Sequence, residues 1–445
     1  MTHVHIIAAG GMLVGFLSFA YIGAPLFSLE YNRYTANSPG EEHDIQAVTH
    51  ATTSDTQVSE LSEKRVIHLP TPEPLKALYM TACYAATPSL REGLIQKIER
   101  TNANAIIIDI KDYSGTIAFK TQDPRFNDAT VHGGGCVIAD LPAILKDLHD
   151  RGIYTIARIT VFQDPYYAKL HPEGAVQKES DKSVWKDYKG ISFVDAGNTE
   201  YWEYVIALSK EAYAIGFDEL NFDYVRFPSD GNMQDIWYPI SEGKVAADPI
   251  LGKATVVESF FAHLSKELRD PSWLVGDETG PVLSADLFGM TTTNADDLNI
   301  GQILEYAAPH FDYIAPMVYP SHYPTGFSGY VNVNAHAYDI VTFSMATAVA
   351  RMKAMGENPL KLRPWLQDFD YPVPYTPEMV REQIHATYDT GLTSWMLWDP
   401  SNIYTESVLL DELDTYIPSP YVVSLPELET ATTTQEKEEE EEVIQ

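Results

Sequence analysis

In the segment GFDELNFDYVRFPSDG, residues 216–231, Glu219, Asn221 and Asp223 recur at intervals of two. Residues two apart in an extended strand point to one face, so these polar groups share a side and leave the other to Leu220, Phe222 and Tyr224. Asp223 finds a possible counterpart in Asp286, within VLSADLFGM. Two carboxylates can cleave a glycosidic bond when one is ionised near the anomeric carbon and the other donates a proton to the leaving oxygen. That division of labour needs two environments. Arg226 and Lys111 are the cations expected to lower the pKa of Asp223, while Leu287 and Phe288 supply an apolar setting expected to raise Asp286. Asp109, Lys111, Arg158, Asn221, Arg226, Tyr319, Gln367, Trp398 and Asp399 are the candidate substrate-binding residues. The aromatic ones would stack on sugar rings, whereas Trp365 reads as core packing. Glu219 lies about 13 Å below Asp223, at roughly 3.3 Å per residue, and is expected to serve the structure rather than the chemistry.

Strand-like runs that could position these residues alternate with helix-period segments along the chain. They are KALYMTACYA (76–85), NAIIIDIKDYSG (104–115), IYTIARITVFQD (153–164), the segment above, PVLSADLFGM (281–290), FDYIAPMVYPSHY (311–323), LRPWLQDFDY (362–371) and TSWMLWDPSNIYT (393–405). Eight such β units predict an α/β (β/α)₈ TIM barrel over residues 75–415, with chemistry at the C-terminal strand ends. A doubly wound open sheet fits less well, because the first βα turn has no phosphate-cradling glycine loop. The segment from Pro165 to Gly197 is unusually long for a connection and is expected to cover part of the rim.

The flanks differ in composition. Between Val4 and Leu29 the only side chain that could carry a charge near neutral pH is His5, and the run is long enough to span a bilayer. Residues 1–30 are therefore expected to be a membrane-anchor helix, or a signal peptide if cleaved, with the barrel outside a bacterial cell membrane. Residues 31–74 read as a disordered linker, and 416–445, ending in EKEEEEEVIQ, as a disordered acidic tail. The formal net charge of −33 disfavours a nucleic-acid partner. Cys83 and Cys136 are the only cysteines; whether they pair is open at this level. No C-x-x-C, H-E-x-x-H, G-x-S-x-G, Walker A or G-x-G-x-x-G pattern occurs, so no metal or cofactor is expected.

GFDELNFDYVRFPSDG together with LYMTA, IIIDIKDYSG, VLSADLFGM and IAPMVYPSHY resembles the glycosyl hydrolase domain family of exported bacterial proteins, over roughly Leu75 to Tyr404. The resemblance implies a TIM barrel and a polysaccharide or oligosaccharide substrate. It is also similar, more distantly, to α-amylase-like barrels, whose strand-4 nucleophile falls at Asp223 but whose strand-5 acid is a glutamate where this chain has Asp286. Chitinase-like barrels carry D-x-x-D-x-D-x-E on strand 4. Here Asp218, Asn221, Asp223 and Val225 occupy those places, and Val225 replaces the essential glutamate, which argues against that mechanism. A non-catalytic carbohydrate-binding barrel tethered at the envelope is the alternative, because one fold hosts many functions.

Overall fold

The computed structural model describes residues 66–275 and 279–410. Eight parallel strands close into a barrel in sequence order. They are β1 (Lys76–Met80), β2 (Ala105–Lys111), β3 (Tyr154–Thr160), β4 (Glu219–Asp223), β5 (Val282–Phe288), β6 (Tyr313–Met317), β7 (Trp365–Gln367) and β8 (Trp395–Trp398). Pairing of β1 with both β2 and β8 makes the closure. Every predicted run holds one strand, and each strand is shorter than its run because the polar ends belong to the rim loops. The helix between β5 and β6 is short, Leu304–Ala307.

Alternation explains the two cores. Outward residues such as Leu78, Ile106, Ile108, Leu220, Phe222 and Leu283 pack against the surrounding helices. Inward residues such as Ala77, Ala105, Ile107, Ile156, Ala315 and Met396 fill the lumen. Small and branched side chains in alternating layers are what a closed eight-stranded barrel has room for.

The linker boundary at residue 74 needs correction. Residues 66–74 lie along the barrel base, where the Leu69 N–H donates to Asp218 (2.6 Å). Tyr313 reaches Glu73 (3.1 Å), and the Thr71 and Tyr154 hydroxyls meet at 3.1 Å. The polar groups of this segment find their partners far along the chain, which nothing in its local composition reveals. Residues 1–65 and 411–445 lie outside the described residues, and with them the anchor, most of the linker and the acidic tail. Among the described residues no helix is long and apolar enough to cross a membrane.

Above the strands, Cys83 and Cys136 are joined by a disulfide, with Cα atoms 4.9 Å apart. The long β3 connection is built, not loose. Its Trp185 is fully buried and donates its indole N–H to the Asn232 carbonyl (3.0 Å), pinning this connection to the one after β4. Gly231 sits at φ +129° beneath that indole, where a Cβ would approach it to 2.4 Å.

Candidate active site

β4 answers for its own alternation. Glu219, Asn221 and Asp223 face the lumen at three successive levels, and all three are buried. At the lowest level the Glu219 carboxylate accepts from Arg363 (2.9 Å) and from the Tyr154 hydroxyl (3.2 Å). This is the structural floor expected of it.

At the upper levels three carboxylates converge on Arg158 of β3. Its Nη1 donates to Asp109 Oδ1 at 2.6 Å, its Nη2 to Asp223 Oδ2, and its Nε stands 3.8 Å from Asp286 Oδ2. Strand register brings this about: Arg158 lies level with Asp109 on β2 and with Asn221 on β4, one layer beneath Asp223. Because both Asp223 and Asp286 approach one planar guanidinium, their facing oxygens lie less than about 9 Å apart, below the upper limit of roughly 9.5 Å for glycosidase carboxyl pairs.

The two aspartates differ in partners. Asp223 takes the Arg158 bond on one oxygen and the Tyr224 N–H on the other (2.6 Å). Tyr224 holds a left-handed φ of +52°, a conformation unfavourable for a bulky side chain and retained beside this carboxylate. Asp286 accepts from Asn221 Nδ2 (2.8 Å) and the Trp365 indole (2.8 Å), both on Oδ1. Burial first, and then the neighbouring charge of Asp223, pushes the Asp286 carboxyl well above the usual carboxylate range. Asp109 is also raised by burial, although Arg158 and the Tyr79 hydroxyl donate to it. Aromatic rings wall the cluster: Trp398 stacks on Tyr79 (3.9 Å between centroids), and Arg158 lies 4.8 Å over the Trp398 ring. Tyr319 feels the charges of Asp286 and Asp223 and has its hydroxyl pKa raised, chiefly by burial.

Several expected roles change. Arg226 does not reach Asp223. It bonds the Phe227 carbonyl (3.2 Å) and Ser229 (3.0 Å) and covers the Tyr224 ring, so it organises the turn. Lys111 is turned away from the lumen by a register shift in β2 between Asp109 and Lys111, and it pairs with Asp164 (2.9 Å) in full burial. Gln367 is spent on the loop backbone, donating to the Phe369 and Tyr371 carbonyls (3.0 Å each) and accepting from Ser321. Asp399 caps the turn after β8 by accepting from the Ser401 N–H (2.6 Å), and burial moves it up to about 6. Leu287 points into the outer core, and it is the lumen itself that desolvates Asp286. Asn221 serves Asp286, and Trp365, read as packing, supplies that carboxyl with a hydrogen bond. Tyr79 was not singled out at all. Its place two residues after Ala77 on a strand with one lumen face was the available signal. Among the described residues no group of three or more His, Cys, Asp or Glu is arranged to hold a metal ion.

The family described as "Putative glycosyl hydrolase domain" matches residues 77–404. The fold is similar to the PgaB (BpsB) glycoside hydrolase domain from Bordetella bronchiseptica, at 15% identity and TM-score 0.54, over 76% of this chain and 100% of that one. A hypothetical protein from Ruminiclostridium thermocellum is 28% identical over 47% of this chain and 96% of its own, with TM-score 0.39. The glycoside hydrolase domain of PelA from Pseudomonas aeruginosa matches at 12% identity and TM-score 0.41, over 75% of this chain and 98% of that one. No curated protein matches.

Proposed function

Because this chain belongs to the glycosyl hydrolase domain family, matched over residues 77–404, we propose that it hydrolyses glycosidic bonds of an envelope or extracellular polysaccharide, with Asp223 and Asp286 as the reacting pair. The observation that carries this reading is the unequal setting of two carboxylates around one guanidinium. Arg158 and the Tyr224 N–H both donate to Asp223, the arrangement an anion needs to attack the anomeric carbon or to stabilise its positive charge. Asp286, desolvated and beside that anion, keeps its proton and gives it to the leaving oxygen as the C–O bond breaks. Water then completes the hydrolysis. Trp398 and Tyr319 offer rings for a sugar to stack against.

One observation favours the binding-only alternative. Asp286 is 1% and Asp223 3% exposed, so a sugar reaches them only if the rim opens or Arg158 gives way toward Asp109. The test is release of reducing ends from a panel of cell-wall and exopolysaccharides by wild type and by Asp223→Asn. Hydrolysis by wild type that the variant lacks supports the pair. Retention of glycans without turnover by either protein supports the binding barrel. The apolar run at residues 4–29 supports placement outside a bacterial cell membrane, held by that segment. Fractionation of the tagged full-length chain checks this, and recovery wholly in the cytosol would rule it out.

A further inference from the structure

We propose that Trp365 and Asn221 are positioning residues that confine the transferable proton of Asp286 to its Oδ2 atom, an assignment whose catalytic meaning rests on the glycosidase reading. The geometry is specific. Both N–H donors, each at 2.8 Å, bond the same oxygen, Oδ1. A carboxyl oxygen that already accepts two hydrogen bonds cannot carry the proton without losing one of them, and a buried donor left unpaired is costly. Oδ2 accepts no hydrogen bond from any described residue; Arg158 Nε, 3.8 Å away, is beyond hydrogen-bond reach. Protonating Oδ2 therefore costs no existing bond. It also places the proton on the oxygen that faces Arg158, the residue shared with Asp223.

Neither donor is free to drift. The Asn221 amide is fixed by a second bond to Ser284 Oγ (3.1 Å). The Trp365 indole, buried in β7, meets Tyr79 and Trp398 edge-on, with centroids 6.5 and 5.5 Å away. An indole N–H is only ever a donor, so at this place it enforces the acceptor role of Oδ1 in a way that a serine or a histidine would not. A Trp buried in a lumen beside a carboxyl is thus part of the acid's machinery rather than filler.

Infrared difference spectroscopy on ¹³C-aspartate-labelled full-length protein at neutral pH tests this without a substrate. The band lost in Asp286→Asn identifies the protonated Asp286 carbonyl. The expected wild-type band lies at the low wavenumber of a carbonyl accepting two hydrogen bonds. Trp365→Phe moves it to higher wavenumber, and Asn221→Ala does the same should the tryptophan variant not fold. If hydrolysis is found, Trp365→Phe lowers kcat roughly tenfold with KM unchanged, the equivalent of about one hydrogen bond. A wild-type band at the position of a non-bonded acid, no band attributable to Asp286, or a band indifferent to a folded Trp365→Phe would overturn the assignment. The shift found in a protein that cleaves no glycan leaves the proton assignment standing and removes the hydrolase reading.

Discussion

The barrel lumen buries charge at its floor and at its rim, and the two places are built differently. At the floor Glu219 and Arg363 are matched one to one, with Tyr154 adding a donor. At the rim three carboxylates share the one guanidinium of Arg158. A balanced buried pair is a structural device, because removing either member leaves an uncompensated charge. An unbalanced cluster is poor for stability: like charges repel, and one member is driven to keep its proton. The excess acid at the rim is what a proton-transfer site requires, and stability elsewhere in the barrel offsets its cost.

The largest expected effect separates the two regions by the same chemical change. Glu219→Gln strands Arg363 in the floor and should cost about 3–5 kcal/mol in denaturant unfolding. Asp223→Asn relieves repulsion at the rim and should change stability by less than about 1 kcal/mol, while lowering any hydrolytic kcat by roughly 10²–10⁴-fold. Equal destabilisation by both would erase the distinction.

Another buried carboxyl, Asp368, sharpens the comparison through pH. Burial raises it from 3.8 to about 7 although Thr405 donates to it twice. The folded state thus prefers the protonated form. Its contribution is complete below the unfolded value and is lost as pH rises toward 7, a change of a few kcal/mol at about 1.4 kcal/mol per pH unit. Thermal unfolding between pH 4 and 8 should therefore show a decline in wild type that is flatter in Asp368→Asn. An unchanged slope would mean that Asp368 titrates normally.

The smallest effect tests a correction. Arg226→Ala should cost about 1 kcal/mol, for its turn bonds, and leave the pH dependence of activity untouched, because Arg158 is the cation on Asp223. A moved acidic limb would restore Arg226 to the site.

These contrasts show what kind of information each residue carries in the sequence. Glu219, Asn221 and Asp223 were legible because a period of two is a local property of one strand. So were the strands themselves and the place of Asp286 on the strand next to β4. The partner of Asp223 was not: Arg226 is near in sequence, whereas Arg158 arrives through the register of β3 against β4. Lys111 shares a sequence parity with Asp109, and only the irregularity in β2 turns it outward. Trp365 looked like core because burial and hydrogen-bond donation are both properties of indole, and nothing local says that the donor has a carboxylate to meet. Residues 66–74 find their partners far along the chain, which no local pattern announces.

The central claim is that Asp286 keeps its proton in the resting protein beside the Arg158-bound Asp223, and site-resolved ¹³C carboxyl titration of Asp286 by NMR tests it most directly. The expected result is an Asp286 signal that is still protonated at neutral pH. In Asp223→Asn, Asp286 should then lose its proton at lower pH, because the neighbouring charge is gone. An Asp286 signal that titrates in the ordinary carboxylate range and is indifferent to Asp223→Asn would contradict the account.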